Sequence, residues 1–396
     1  MQVMKNTSAL QAWQVSVGGI CGLVLTLGLA RFAYTPLLPA LQAQTGLGDA
    51  AAGLLAALNY AGYMSGALAA AWLDHPRWRH RLYSSGLWMA LLSTAAMALS
   101  SALPWWALLR YIGGLCGATG MLFGSGLVLG WLMQQGRRPE LGVHFIGIGV
   151  GIVFTAAGAA WFMATWDDWH IHWLMFALLG LLFFIPAWRW RPPVPASTAH
   201  RVADAPMPGR RWMITLALSY FAAGWGFVMN ATFTVAMVER SPGLAGQGPW
   251  AWALVGLAAM PAVFLWDRVA RRLGDRPAMM LAFALQMLAT ALPVLSGSLW
   301  AALLGALGYG ATFIALVSLT LSLVGRHMPA NPGKAMARLT LSYGLAQVLA
   351  PIVTGWMAQS SGGQFTGAVW LTVGVLGLGL VLLSTLPETH AAARQS

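Results

Sequence analysis

Acidic side chains are scarce in this sequence: ten Asp and Glu among 396 residues, none in the middle of an apolar run. Charged residues of both signs make up 8% of the chain, against roughly 25% in a soluble domain. So few charges cannot cover the aqueous surface of a chain this long, so the expected solvent is lipid. Cysteine is equally sparse. Cys21 and Cys116 stand alone inside apolar runs, which excludes a disulfide framework and a zinc motif and leaves them as small packing residues. The sequence also has no phosphate-binding loop, no nucleophile–base set at one depth and no metal-ligand spacing. A membrane enzyme is disfavoured on that ground, and no catalytic residue, metal or cofactor is expected.

What is present is apolar sequence, 58% of the chain. A membrane helix needs about 20 mostly apolar residues. Runs of that kind fall at about 13–40, 51–73, 82–102, 105–133, 141–164, 172–190, 212–238, 250–267, 277–297, 299–324, 334–359 and 364–386. The first run is far longer than the core of a signal peptide and has no clean cleavage site, so it is read as a retained helix. The expectation is an all-α multi-pass membrane protein with twelve spans.

Basic residues then orient the chain. Arg77, Arg79 and Arg81 fall in loop 2–3, and Arg137 and Arg138 in loop 4–5. Arg189, Arg191, Arg201, Arg210 and Arg211 fall around loop 6–7, Arg268, Arg271, Arg272 and Arg276 in loop 8–9, and Arg326 and Lys334 in loop 10–11. The alternate loops hold only Arg240, with Asp49, Asp167, Asp168 and Glu239. Lys and Arg are retained on the cytoplasmic side, so both termini are expected there. The net charge of +12 is read as this bias and not as a nucleic-acid footprint. Residues 191–211 carry five prolines and read as a cytoplasmic linker. It separates a six-helix unit at 1–190 from another at 212–396.

The two halves repeat weakly at an offset of about 195 residues. Gly117-Ala118-Thr119 matches Gly310-Ala311-Thr312, Leu73-Asp74 matches Trp266-Asp267, and Gly147 can be laid on Gly344. Six spans per half make this a parallel repeat, a layout found in transporters with a shared central path. Spans 3, 6, 9 and 12 are nearly featureless and suit the lipid-facing rim. Spans 1, 4, 5, 7, 10 and 11 carry the buried polar groups and the dense glycine.

Four stretches, GLARFAYTPLLP in span 1, GVHFIGIGVGI in span 5, LWDRVARRLGDRP after span 8 and SYGLAQVLAPIVTG in span 11, make the chain resemble the major facilitator superfamily, and within it the YbfB/YjiJ branch. The resemblance implies two pseudo-symmetric bundles in a bacterial inner membrane, with spans 1, 4, 7 and 10 lining a cavity and access alternating by rocking. The helix 4 signature is present as Arg110, Gly114 and Ala118. The loop 2–3 signature keeps Gly66 and its basic cluster, but Ala70 stands at the acid position and Asp74 is displaced towards the cluster. Its second copy is fuller, with Asp267, Arg268, Arg271, Arg272 and Gly274, and by resemblance these residues belong to a gating clamp.

Arg31 is the residue that points to function. It sits in the outer half of span 1, and Arg110 in span 4 lies at similar depth. An arginine in the membrane interior costs at least ~2.5 kcal/mol on insertion scales, so it must face water, a partner or the bundle interior. At helical spacing Arg31, Tyr34 and Thr35 share a face, and Pro36 can free a carbonyl nearby. With no buried acid to pair with, the cavity is expected to be positive and to favour a small organic anion, which arginine binds bidentately. The competing reading has Arg31 bonding carbonyls near Pro36, and Arg110 acting structurally or in gating.

Asn230, Thr232, Tyr309 and Thr312 are the second-half candidates for substrate contact, with interhelical hydrogen bonding as the alternative. His144 is the only side chain inside a span that titrates near neutrality when unperturbed. It is assigned to gating, with polar packing as the alternative, together with Tyr343 and Gln347 on one face of span 11. TWDDWHIHW, residues 165–173, offers two acids and two histidines but reads as an external turn with interfacial tryptophans.

The function expected is secondary transport of a small solute, coupled to a proton or sodium or uncoupled, by a lipid-embedded monomer with no nucleic-acid partner. The alternatives are a proton-coupled efflux carrier and, from a different class, a non-transporting receptor or membrane subunit.

Overall fold

The computed structural model describes residues 10–73, 75–136, 141–194, 209–327 and 332–386. Among them there are twelve long helices and no strand. We number them α1 (Ala12–Thr45), α2 (Asp49–Trp72), α3 (Pro76–Leu99), α4 (Leu103–Gln134), α5 (Leu141–Thr165), α6 (Trp169–Arg189), α7 (Arg210–Arg240), α8 (Gly248–Leu273), α9 (Asp275–Ser296), α10 (Leu299–His327), α11 (Pro332–Ser360) and α12 (Thr366–Ser384). Eleven are long and apolar enough on their own to cross a membrane. The twelfth, α2, is diluted by Asn59, Tyr60, Tyr63 and Ser65, and its length of 24 residues still suffices to span.

Local chemistry sets the ends. Gln11 and Gln14 close a capping box on α1, His75 caps α3 ahead of Pro76, and Asp168 accepts from His170 N–H at 2.8 Å to start α6. Gly46 (φ 71°) ends α1 in the left-handed conformation that other residues resist.

Several helices outrun the apolar spans. Arg77, Arg79 and Arg81 lie on the first turns of α3, and Arg268, Arg271 and Arg272 on the last turns of α8, where loops are expected from sequence. α10 continues to His327, and His170 and His172 belong to the first turn of α6. Hydropathy reports where the lipid ends, whereas the backbone hydrogen-bond ladder is indifferent to that boundary and continues into water. Asp74, Arg137, Arg138, Arg201 and linker residues 195–208 lie outside the described residues, as do the side chains of Arg326 and Lys334.

Packing repeats between the halves. In the first half α4 packs on α2 and α3, and α1 on α5 and α6. In the second, α10 packs on α8 and α9, and α7 on α11 and α12. The halves meet along two related seams, α2 with α11 and α5 with α8. Glycine makes both close. A Cβ on Gly149 would lie 2.7 Å from the Gly256 carbonyl oxygen, and the converse distance is also 2.7 Å. Gly53 meets the Pro351 carbonyl in the other seam.

Burial follows this plan. The most apolar window of α1 is 83% buried and that of α12 only 33%. The featureless helices α3, α6, α9 and α12 carry rows of exposed Leu, Trp, Val and Ile suited to lipid.

Candidate functional site

Between the halves lies a cavity of about 590 Å³, walled by α1, α2, α3, α4, α5, α7, α10 and α11. Most of its lining falls in the halves of these helices nearest the linker, with Arg31, Phe32 and Phe227 just beyond their midpoints. It runs from Arg31 and Phe227 at mid-depth down to Pro76, Arg79 and Met336. At the mouth, Arg79 Nε–H donates to the Leu73 carbonyl at 2.7 Å.

Two stretches of that wall depart from α-helical geometry. Val24–Phe32 of α1 and Thr119–Gly124 of α4 are π-helical. Gly28 faces Gly151 of α5 within this wider turn, a Cβ on either falling 2.8 Å from the other's Cα. π-Turns are uncommon and recur at functional sites. Leu27, Arg31 and Phe32 come from the first of them, and Met121, Leu122 and Phe123 from the second, and all six line the cavity.

Arg31 is buried, with its guanidinium carbon 4.2 Å from the ring centre of Tyr60 and 5.0 Å from that of Tyr63. Phe32 and Phe227 complete the surround at 5.4 and 5.8 Å. Desolvated cation–π contacts return about 2 kcal/mol, which offsets part of the charge burial. They do not satisfy N–H donors. Arg31 Nε and Nη2 are buried with no hydrogen-bond partner, and an unsatisfied buried donor costs about 1–3 kcal/mol. Carbonyls near Pro36 are not bonded to these two atoms.

Arg110 is the arginine that bonds main-chain oxygens. Its Nη1 donates to the Arg31 oxygen at 3.2 Å and to the Ala30 oxygen at 3.5 Å, and its Nε to the Leu55 oxygen at 3.5 Å. Its guanidinium carbon also lies 4.4 Å from the Tyr34 ring centre. Asn59 Nδ2 donates to the Arg110 oxygen at 2.8 Å, so α1, α2 and α4 are tied at one level.

Of the other residues singled out from sequence, Tyr343 and Gln347 line the cavity with Arg31, and Gln347 Oε1 is buried without a partner. Tyr34, Thr35, Arg110, Asn230, Thr232, Tyr309, Thr312 and His144 are buried beside or behind it. Tyr34 O–H donates to the Ala52 oxygen at 3.1 Å, and Thr35 Oγ1 crosses between the halves to the Ala231 oxygen at 2.5 Å. Arg31 and Thr35 both turn towards α7, at Phe227 and Ala231, while Tyr34 bonds α2.

Asn230 donates to the Gly226 oxygen and to Thr290 Oγ1, at 2.8 and 3.0 Å. Tyr309 O–H donates to the Phe227 oxygen at 3.0 Å, and Thr312 to the Gly308 oxygen at 2.8 Å. His144 Nε2 pairs with Ser125 Oγ at 2.8 Å. Asp267 pairs with Arg271 at 2.6 Å within α8, while Arg268 and Arg272 are exposed. The residues that sequence reasoning missed are the aromatics: Tyr60, Tyr63, Tyr220, Phe227 and Phe313. Tyr60 and Tyr63 lie three apart on α2, a helical spacing that could have flagged one face.

The face away from the linker is closed. Arg240 Nη2 contacts Asp49 Oδ1 at 2.6 Å and Gln42 Oε1 at 2.9 Å. Its Nη1 reaches Asp49 Oδ2 at 2.9 Å and the Gly363 oxygen at 3.1 Å. Gln359 Oε1 accepts from Ala50 N–H at 3.0 Å beside it. Residues 165–173 form the neighbouring edge. Gln44 bonds Asp167 and the Trp169 N–H, and His170 Nδ1 and His172 Nε2 each pair with a main-chain oxygen. No cluster of three metal-ligating side chains occurs among the described residues.

Comparison with known proteins agrees with this architecture. The family described as "Uncharacterised MFS-type transporter YbfB" matches residues 23–395. Over 250 residues the chain is 28% identical to the "Uncharacterized MFS-type transporter YhhS" of Escherichia coli K12, covering 61% of this chain, and matches its Shigella flexneri counterpart equally. The chain spans 58% of the length of these curated relatives. Among solved structures, a point-substituted form of the nucleoside transporter NupG superposes with a TM-score of 0.75 at 14% identity, over 95% of this chain and all of that one. A D-xylose–proton symporter gives 0.69 at 14% identity, over 95% of this chain and 98% of that one. A bacterial homologue of the lysosomal transporter Spinster, inward-facing and occupied, gives 0.69 at 14%, over 94% and 96%. At such identities the likeness speaks for the fold alone. The match over residues 23–395, by contrast, runs through both halves, and the chain belongs to the major facilitator superfamily of transporters, in the YbfB family.

Proposed function

We propose that this protein is a secondary active transporter that moves a small organic anion across the bacterial inner membrane by alternating access. The single observation that carries the anion is Arg31, a buried guanidinium beside the cavity with two N–H donors that no protein atom accepts. No acid lines the cavity among the described residues, so the fixed charge at its closed end is positive. By the positive-inside bias the linker face is cytoplasmic, and the cavity is then an inward-open one. Residues 1–190 and 212–396 are the two rocking bodies and 191–211 the tether. A monomer in lipid is sufficient, since the cavity is complete within one chain.

The test is flux in proteoliposomes under imposed pH and sodium gradients, with the unmodified chain compared to Arg31→Gln. Organic anion flux is expected, and a loss of at least tenfold in the variant. Movement of cations or neutral solutes without anions would refute the substrate class. The gradient that drives flux identifies the coupling ion.

A further inference from the structure

The anionic part of the solute is only half of what the cavity specifies. Two side-chain cations border it among the described residues. Arg79 is at the mouth, and Arg31 is at the closed end. The neighbouring Arg110 is occupied by three main-chain oxygens. The closed end therefore offers one guanidinium with donors to give, and a second negative charge there would have no counter-charge. The two open donors, Nε and Nη2, lie on the same edge of the guanidinium and point in parallel, the arrangement that fits two oxygens of one carboxylate.

Both atoms are buried, and four rings surround the guanidinium. Of the four aromatic side chains around Arg31, Tyr60, Phe32 and Phe227 are buried. Tyr63 alone is partly exposed, and it also lines the cavity. It is the least buried of the four. Opposite it, the second half presents a continuous aromatic wall. Phe227 stacks on Phe313 at 5.3 Å between ring centres and on Tyr343 at 6.1 Å, and Tyr343 packs on Tyr220 at 4.5 Å. Such a wall accepts a flat apolar body by offset stacking.

We propose that the transported anion is a monocarboxylate with a planar apolar body, whose carboxylate takes the Nε–Nη2 edge of Arg31 by displacing the Tyr63 ring while its body stacks on the Phe227–Phe313–Tyr343 wall. This rests on the anion reading above and narrows it. A dicarboxylate leaves one charge unpaired in an apolar site, and a small aliphatic acid leaves the aromatic wall unfilled.

Isothermal titration of the full chain in lipid nanodiscs, with 1-naphthoate, 1-naphthamide, naphthalene-1,4-dicarboxylate and acetate, separates the claims. Naphthoate is expected to bind at least tenfold more tightly than each of the other three. Arg31→Gln should erase the preference for the acid over the amide. If that variant does not fold, the series on the unmodified chain decides alone. Equal affinity for naphthoate and naphthamide would overturn both this proposal and the anion reading. Equal affinity for the dicarboxylate or for acetate would overturn the narrowing and leave the anion reading standing. Absence of naphthoate binding would also overturn the proposal. For the displaced ring, stopped-flow association of naphthoate should be at least threefold faster with Tyr63→Ala. An unchanged rate would exclude displacement of Tyr63.

Discussion

Arg110 donates to the main-chain oxygen of Arg31, so two arginines sit within one turn's reach, yet their side chains do opposite things. Arg110 satisfies carbonyls of α1 and α2, and its charge is held by those dipoles and by the Tyr34 ring. Arg31 leaves two donors unsatisfied. The consequence is a contrast in stability. Arg110→Gln should cost about 2 kcal/mol, because charge-assisted hydrogen bonds are lost and carbonyls are left bare. Arg31→Gln should be neutral or stabilising, because a buried charge with orphan donors is removed. Thermal melting of both variants by intrinsic tryptophan fluorescence in one detergent checks this. A lower midpoint for Arg31→Gln than for Arg110→Gln would mean that Arg31 is the structural residue. The two arginines and their similar depth are legible in the sequence. Which one bonds the carbonyls is not, since that depends on which face α4 turns to α1.

Among the elements, the α5–α8 seam shows how glycine sets the distance between the halves. Gly149 and Gly256 face each other, and a side chain on either would meet the other's carbonyl oxygen. Gly256→Val would also press on Val153, whose N and Cγ2 lie 2.8 Å from the new Cβ. Overpacking of this kind typically costs about 1–3 kcal/mol, so Gly256→Val should lower the melting midpoint, while a change at Gly126, which has nothing within 4 Å, should not. Differential scanning fluorimetry of the pair is the measurement. Dense glycine in these helices is plain in the sequence, and it implies close helix contact. Which glycine meets which partner is a property of the packed pair. The π-turns of α1 and α4 are hidden for the same reason. They are inserted residues that the local pattern does not mark.

For the whole molecule, the asymmetry between an open linker face and a closed opposite face is the conformational state. Arg240 and Asp49 hold that closed face from two halves of the chain, with Gln42 and the Gly363 carbonyl completing the set. Arg240 is about a third exposed and Asp49 is buried; exposed pairs contribute about 0–1 kcal/mol, which is small for folding, yet about 1 kcal/mol shifts a two-state population about fivefold. Arg240→Gln should therefore open this face without unfolding the protein. Spin labels at Ala43 and Ala245, both exposed on it, placed in a chain with Cys21→Ala and Cys116→Ala, should show a longer distance population by double electron–electron resonance. The exchange Asp49→Arg with Arg240→Asp should restore the shorter one. An unchanged distribution in Arg240→Gln would assign the closure to the glycine seams instead.

Composition and periodicity by themselves determined the solvent, the helices, their count and the doubled topology, because the hydrocarbon thickness and the satisfaction of backbone hydrogen bonds leave a chain of this composition few other arrangements. They also determined that Arg31 has no acidic partner in the membrane, since no acid lies mid-helix. Only the tertiary structure decided that Arg110 rather than Arg31 bonds main-chain oxygens of α1 and α2, that tyrosines of α2 and a phenylalanine of α7 surround Arg31, and that Asp49 meets Arg240 across 191 positions of sequence. Those outcomes depend on how helices distant in the chain rotate and lean against one another. That is settled by side-chain and glycine packing summed over whole interfaces, which no local stretch of sequence encodes.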